Sequence, residues 1–225
     1  MSSTLVLLSG GLKSAAVAAD LKKRERAIVG LFWEYGQRNL TNERAAAVAV
    51  AKQLNFPLHT LKLSHLAEVE RPGKPWTILG GDLPPDQING AIPGLLPALI
   101  TLSAHDALLH ECEFIAIGAS GTSSIDHQEM GANLVNHINT YFALALSCGI
   151  RVQAPLMAKS AEACVRFALD LPGSERLIAL TTSCYIPGDV RCGSCKGCKR
   201  RAVALKIAGV KDSAWAPGKA RIDAA

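Results

Sequence analysis

The sequence predicts an α/β fold, a doubly wound parallel sheet with a small cysteine-rich module at its C-terminal end. Three observations lead there. Apolar runs of strand length alternate with helical runs, a glycine turn joins the first strand to the first helix, and four of the seven cysteines crowd into residues 184–198. Such alternation calls for parallel strands joined by right-handed helical crossovers.

The elements follow in order. A strand over Thr4–Ser9 leads to a helix over about Ser14–Arg26, a strand over Ile28–Trp33, an alanine-rich helix over Asn42–Leu54 and a strand over Leu58–Leu63. Residues 64–92 break the rhythm with Pro72, Pro75, Pro84 and Pro85 among four glycines, the mark of a lid, a binding loop or a disordered segment. A helix over Leu95–His110, a strand over Phe114–Gly118 and a polar loop from Ala119 to about Gln128 come next. The helix over Met130–Cys148, the strand Arg151–Ala154 and the helix Ser160–Leu169 complete the core. Leu177–Thr182 reads as a last short strand, Lys199–Ile207 as a helix, and the tail from Gly209 as loose. Domain limits fall at 1–175 for the α/β unit and 176–225 for the cysteine module and tail.

The 225 residues are 49% hydrophobic and 19% charged, which is globular composition. No apolar run reaches the length of a membrane span, and the first eight residues are too short for a signal peptide, so the expectation is a cytoplasmic protein without membrane contact. A formal net charge of +5 suits a phosphate-bearing ligand but is no nucleic-acid footprint. Lys22-Lys23-Arg24 and Lys199-Arg200-Arg201 read as solvated helix faces.

Chemistry concentrates first at Leu8-Ser9-Gly10-Gly11-Leu12-Lys13-Ser14. Strand, glycine turn and helix start together make an anion cradle: glycines admit close backbone approach, and the helix start offers unpaired N–H groups and partial positive charge. Lys13 is a cation where that potential is already positive, which favours an anionic partner. In a parallel sheet, ligands sit beyond the carboxyl ends of the strands, where this turn, the segment after Trp33 and the loops after Leu63 and Gly118 all fall.

The second concentration is Cys184-x7-Cys192-x2-Cys195-x2-Cys198, four thiolates for a closed tetrahedral zinc site. Pro187-Gly188, Gly193 and Gly197 supply turns between them, and Lys196, Lys199 and Arg200 offset the negative charge. An iron–sulfur cluster is the alternative, disfavoured by the long first spacing and the lack of a nearby Cys-Pro. Cys112, Cys148 and Cys164 stand in apolar surroundings and read as buried small hydrophobes. His105 and His110 read as core or surface histidines, and Trp76 either stacks on a purine or is buried.

Several segments resemble one family in a single order along nearly the whole chain. Leu7-Leu-Ser-Gly-Gly-Leu-Lys-Ser14 is similar to the L-x-SGG-x-DS signature of the 7-cyano-7-deazaguanine synthases, members of the Rossmann-like PP-loop ATP-pyrophosphatases. Phe32-Trp-Glu-Tyr-Gly-Gln-Arg-Asn39 with Glu43 resembles that family's F-x-YGQRH…E segment. Ala154-Pro-Leu-Met157 and Thr182-Ser-Cys-Tyr185 through Cys198-Lys-Arg-Arg201 resemble its PLM and zinc segments. The resemblance implies ATP with magnesium, a deazapurine-like acid as acceptor, structural zinc and dimerisation. It implies Ser9, Lys13 and Arg38 at the chemistry, with the 8–14 loop, Tyr35, Gln37 and Arg38 around the nucleotide.

The departures from that pattern gather at positions that carry chemistry. Lys13 stands for the loop aspartate, and Asn39 for the YGQR histidine. Pro93-Gly-Leu-Leu96 stands for Pro-Gly-Arg-Asn, Ser124–Met130 has no Tyr-Pro-Asp-Cys-Arg, and Lys159 precedes Ser160-Ala-Glu162 where Lys-x-Glu is expected. Three readings stay open: a synthase, a related enzyme with another substrate in which Asp126, His127 and Glu129 rebuild a loop, and a non-catalytic nucleotide-binding scaffold.

Overall fold

The computed structural model describes residues 3–24, 26–63, 94–120, 132–146 and 149–212. They form five strands and seven helices: β1 (Ser3–Leu7), α1 (Leu12–Lys23), β2 (Ala27–Glu34), α2 (Leu40–Leu54), β3 (Leu58–Lys62), α3 (Leu95–Leu109), β4 (Cys112–Ala116), α4 (Ala132–Ala145), β5 (Arg151–Gln153), α5 (Ala161–Leu169), α6 (Ser174–Leu180) and α7 (Lys196–Ile207). The five strands make one sheet in the order β3-β2-β1-β4-β5, every pairing parallel. The doubly wound expectation is met.

Both sheet faces are covered, which explains why the strands read as continuous apolar runs. Successive side chains alternate between faces. Val6 and Phe32 therefore join α1 and α2 residues in one core, while Leu5, Leu31 and Trp33 join Ile100 of α3 and Phe142 of α4 in the other. Helix α1 is enclosed on every side, with Ala15, Ala16, Val17 and Ala18 fully buried. Only small residues allow it to lie between the sheet and α2, α5 and α6.

Chain direction across the sheet reverses between β1 and β4. Their carboxyl ends therefore diverge into different loops and leave a crevice, the usual ligand position in such sheets. The sequence leads here by topology alone: residues 8–11 follow β1 and residues 117–120 follow β4.

Three expectations need correction. Leu177–Thr182 is not a strand: α6 covers Ser174–Leu180 and buries Leu177, Ile178 and Leu180. A short apolar run has the same composition in either form, and packing decides it. Arg201 is not on a solvated face. It is buried, donating to Thr181 Oγ1 at 2.8 Å, to the Ile178 carbonyl at 2.9 Å and to Asp212 Oδ2 at 3.0 Å. The tail is not loose at Asp212, which also receives Arg191 Nη1 at 2.7 Å. Two buried guanidinium groups need a carboxylate, and that requirement holds the chain in place.

Candidate functional site

Ser9 is exposed, and Gly10 turns the chain with φ +75°, a conformation glycine adopts freely. A Cβ on Gly10 would also overlap the Glu43 carbonyl oxygen of α2, so the position is closed to larger residues twice over. The turn is braced from within. Ser9 N donates to Ser14 Oγ at 3.2 Å, and Ser14 Oγ donates to the Gly11 carbonyl at 3.0 Å. Gly11 N–H approaches Ser9 Oγ at 3.4 Å. Gly11 is the N-cap of α1, and having no side chain it offers the first turn no side-chain cap bond.

Lys13 lies in that first turn. Its Nζ crosses the crevice and donates to Ser120 Oγ at 3.0 Å. Burial pulls the ammonium below its ordinary pKa, the Cys164 thiol opposes that shift, and Arg200 adds to it. Burial likewise pushes the Cys164 thiol up, with Lys13 drawing it partly back. Gly118 completes the crevice: a Cβ there would stand 2.5 Å from Ser14 N and 2.9 Å from the Lys13 carbonyl carbon. Sequence reasoning missed Ser120, whose only signal was its place just after β4 at the sheet reversal.

The YGQR segment follows β2 on the same sheet edge. Gln37 is folded inward, its Nε2 donating to the Trp33 carbonyl at 2.8 Å and its Oε1 accepting from Tyr35 N at 2.9 Å. Burial raises the Tyr35 phenol far above its usual range. Glu43 is raised to about 7 by burial, with a Gln37 hydrogen bond opposing. Arg38 differs from these: its Nη1 is buried and has no hydrogen-bond partner among the described residues. An orphaned buried guanidinium nitrogen calls for an oxyanion. Leu8 is a core residue whose N–H is committed to the Leu31 carbonyl at 2.9 Å, and Leu12 packs against the same core.

Cys184, Cys192, Cys195 and Cys198 converge, with all four sulfurs within 4.8 Å of one another. Cys184 and Cys192 stand 3.6 Å apart and Cys192 and Cys198 4.0 Å, bracketing the ~3.8 Å edge of a tetrahedron with zinc–sulfur bonds of about 2.3 Å. Backbone N–H groups aim at the sulfurs: Ile186 and Cys192 at Cys184 (3.4 Å each), Cys195 at Cys192 (3.3 Å), and Tyr185 and Cys198 at Cys195 (3.5 Å each). Such donors stabilise thiolates. The donor set fits zinc, which it would hold as a closed structural centre.

Magnesium fits less well. The first turn of α1 carries no acidic residue, and Lys13 puts an ammonium there instead. Trp76, Asp126, His127, Glu129 and Cys148 lie outside the described residues, while His105 is exposed and His110 half-buried. No helix among the described residues is long and apolar enough to cross a membrane.

Residues 3–209 match the model of a family described as queuosine biosynthesis protein QueC. The chain is 26% identical over 223 residues to a protein of Methanosarcina barkeri named 7-cyano-7-deazaguanine synthase, covering 92% of this chain and 95% of that one. It is 31% identical over 229 residues to a protein of the same name from Synechococcus sp. (strain RCC307), covering 95% and 98%. A solved structure from Methanocaldococcus jannaschii, described as a predicted subunit of tRNA methyltransferase, shares the fold with TM-score 0.53 and 16% identity, covering 99% of this chain and 96% of that one.

Proposed function

We propose that this chain, which belongs to the QueC family of queuosine biosynthesis proteins, is an ATP-dependent ligase that activates a deazapurine carboxylate for amidation. The observation that carries the reading is the uncapped glycine turn at the sheet reversal, with Lys13 placed across it. A phosphate ligand belongs at such a turn.

In this reading the acceptor is 7-carboxy-7-deazaguanine, the acid that the family resemblance implies. A carboxylate oxygen attacks the α-phosphorus of ATP, and the bond to pyrophosphate breaks with its electron pair leaving on pyrophosphate. Ammonia then attacks the activated carbonyl carbon, loses a proton and displaces AMP to give the amide. The amide oxygen then attacks the α-phosphorus of a second ATP with departure of pyrophosphate, and breaking of the C–O bond with loss of AMP and two protons leaves the nitrile. The N–H groups at the start of α1 and the Lys13 ammonium meet the charge that develops on the leaving pyrophosphate. Arg38 Nη1 supplies a further donor on the same edge. The first turn of α1 carries no carboxylate for magnesium, and in this reading Lys13 supplies the counter-charge.

The same reading divides the chain into a nucleotide unit, 1–175, and a zinc module, 176–225. It takes the partners to be small molecules without direct nucleic-acid contact, and the homodimer to be the assembly the family implies. The contact between Lys13 and Ser120 favours a second reading, a nucleotide-binding scaffold in which lysine closes the crevice. Incubation with ATP, 7-carboxy-7-deazaguanine and ammonia, with and without magnesium, separates the two. Amide and nitrile masses support the ligase, whereas nucleotide binding without either product supports the scaffold.

A further inference from the structure

Asn39 immediately precedes α2 and would ordinarily cap it, yet its side chain makes no cap bond. The side chain is 2% exposed and points elsewhere: Nδ2 donates to the Cys184 carbonyl at 2.6 Å. Its Oδ1 accepts from Asn42 Nδ2 at 2.8 Å, and that same nitrogen reaches the Gly188 carbonyl at 2.8 Å. The first turn of α2 is thus bonded to the cysteine arm at two places.

The connection continues to the glycine turn by two routes. Glu43 N donates to the Asn39 carbonyl at 3.0 Å, and the Glu43 carbonyl lies against Gly10. Two residues before Cys184, Thr182 N donates to the Gly10 carbonyl at 2.9 Å. Cys184, Asn39, Glu43, Gly10 and Thr182 therefore form a closed circuit of backbone contacts with one side chain in it. Gly197, between two cysteines, packs so closely on the Ser183 carbonyl that a Cβ there would overlap it, which ties the 182–184 segment to the cysteine module as well.

We infer that Asn39 is a positioning residue through which closure of the four-cysteine centre sets the geometry of the 9–14 turn. The inference rests on the metal reading of the cysteines, and its main readouts need no nucleotide. A short amide suits the position because it donates to one carbonyl while accepting from Asn42. An aspartate would turn an oxygen toward the Cys184 carbonyl and add charge beside four thiolates.

Hydrogen exchange of backbone amides tests this, on the zinc-loaded chain and on the same chain dialysed against a chelator under reducing conditions, with zinc content measured in parallel. Metal removal is expected to speed exchange about tenfold or more at residues 10–14 and 39–43, with residues 115–117 and 152 unchanged. The Asn39→Asp chain is expected to keep its zinc and show the same acceleration at 10–14 while loaded. Exchange at 10–14 indifferent to metal, acceleration spread evenly over the sheet, or an Asn39→Asp chain matching the parent overturns the inference. So does loss of zinc from Asn39→Asp, which would make Asn39 a support of the metal centre alone. A chain that takes up no zinc defeats the metal reading in the parallel assay. Failure to bind ATP sinks only the ligase reading, because the exchange result stands without it.

Discussion

Lys13 Nζ and Ser120 Oγ, 107 residues apart in sequence, meet at 3.0 Å across the gap between β1 and β4. The sheet order makes these strands neighbours, and the reversal of winding makes their loops diverge. A ligand phosphate entering the gap must share or replace this bond. Lys13 thus latches the crevice, and in the ligase reading proposed above it is also the cation that meets the phosphate.

Removal of that cation should be felt directly. Lys13→Ala is expected to weaken pyrophosphate binding by roughly ten- to a hundredfold, the worth of a charge-assisted hydrogen bond. Lys13→Asp is expected to make binding more dependent on magnesium. Calorimetry with and without the ion checks both, and an Asp variant indifferent to magnesium would place the loss of metal use elsewhere. Burial lowers the Lys13 pKa, so affinity in the parent chain should fall as pH rises below the usual lysine range.

One zinc per chain is expected from metal analysis. Cys195→Ser should abolish stoichiometric binding and lower the thermal midpoint, because binding free energy at such a centre is folding free energy. Iron with visible absorbance, or no metal at all, would refute the zinc assignment.

Asp212 is shared by two buried arginines, Arg191 and Arg201, at 2.7 and 3.0 Å. Asp212→Ala leaves both without that carboxylate and should cost about 3–5 kcal/mol. Urea denaturation reads the loss, and a change under about 1 kcal/mol would show that the network relaxes into water.

Glu43 gives a stability signature in pH. Its folded pKa, about 7, lies above the ordinary carboxyl value, so the native state holds a proton that the unfolded chain releases between roughly pH 4.3 and 7. Stability from this group is therefore present at the acid end of that window and lost as pH rises through it. Glu43→Gln should flatten the profile, as measured by denaturant midpoints at pH 5 and pH 8. An unchanged slope would assign the dependence to other groups.

Much of this was legible in the sequence because it was local. The Ser9-Gly10-Gly11 turn, the Cys-x2-Cys-x2-Cys run and the strand–helix alternation each signal themselves within a few residues. What escaped was tertiary. Ser120 looks like any loop serine until the strand order is known. Leu177–Leu180 carries apolar residues that suit a strand or a helix, and the space beside α1 and α2 selects the helix. Arg201 stands in a run of charge with Lys199 and Arg200, and only helical geometry turns it inward toward Thr181 and Asp212. Asn39 showed as a departure from a motif, and only the fold shows what its amide holds.

The Gly10 carbonyl finds its partner in Thr182, and this sets an order of events during synthesis. Residues 9–14 leave the ribosome well before Thr182, so their bracing waits for a segment more than 160 positions later. Pairing at that separation is slow, since most of the chain must be ordered before it closes. The glycine turn is made early and braced late. A ribosome-bound chain that stops short of Thr182 has the glycines and the lysine, but not the wall against which they are held.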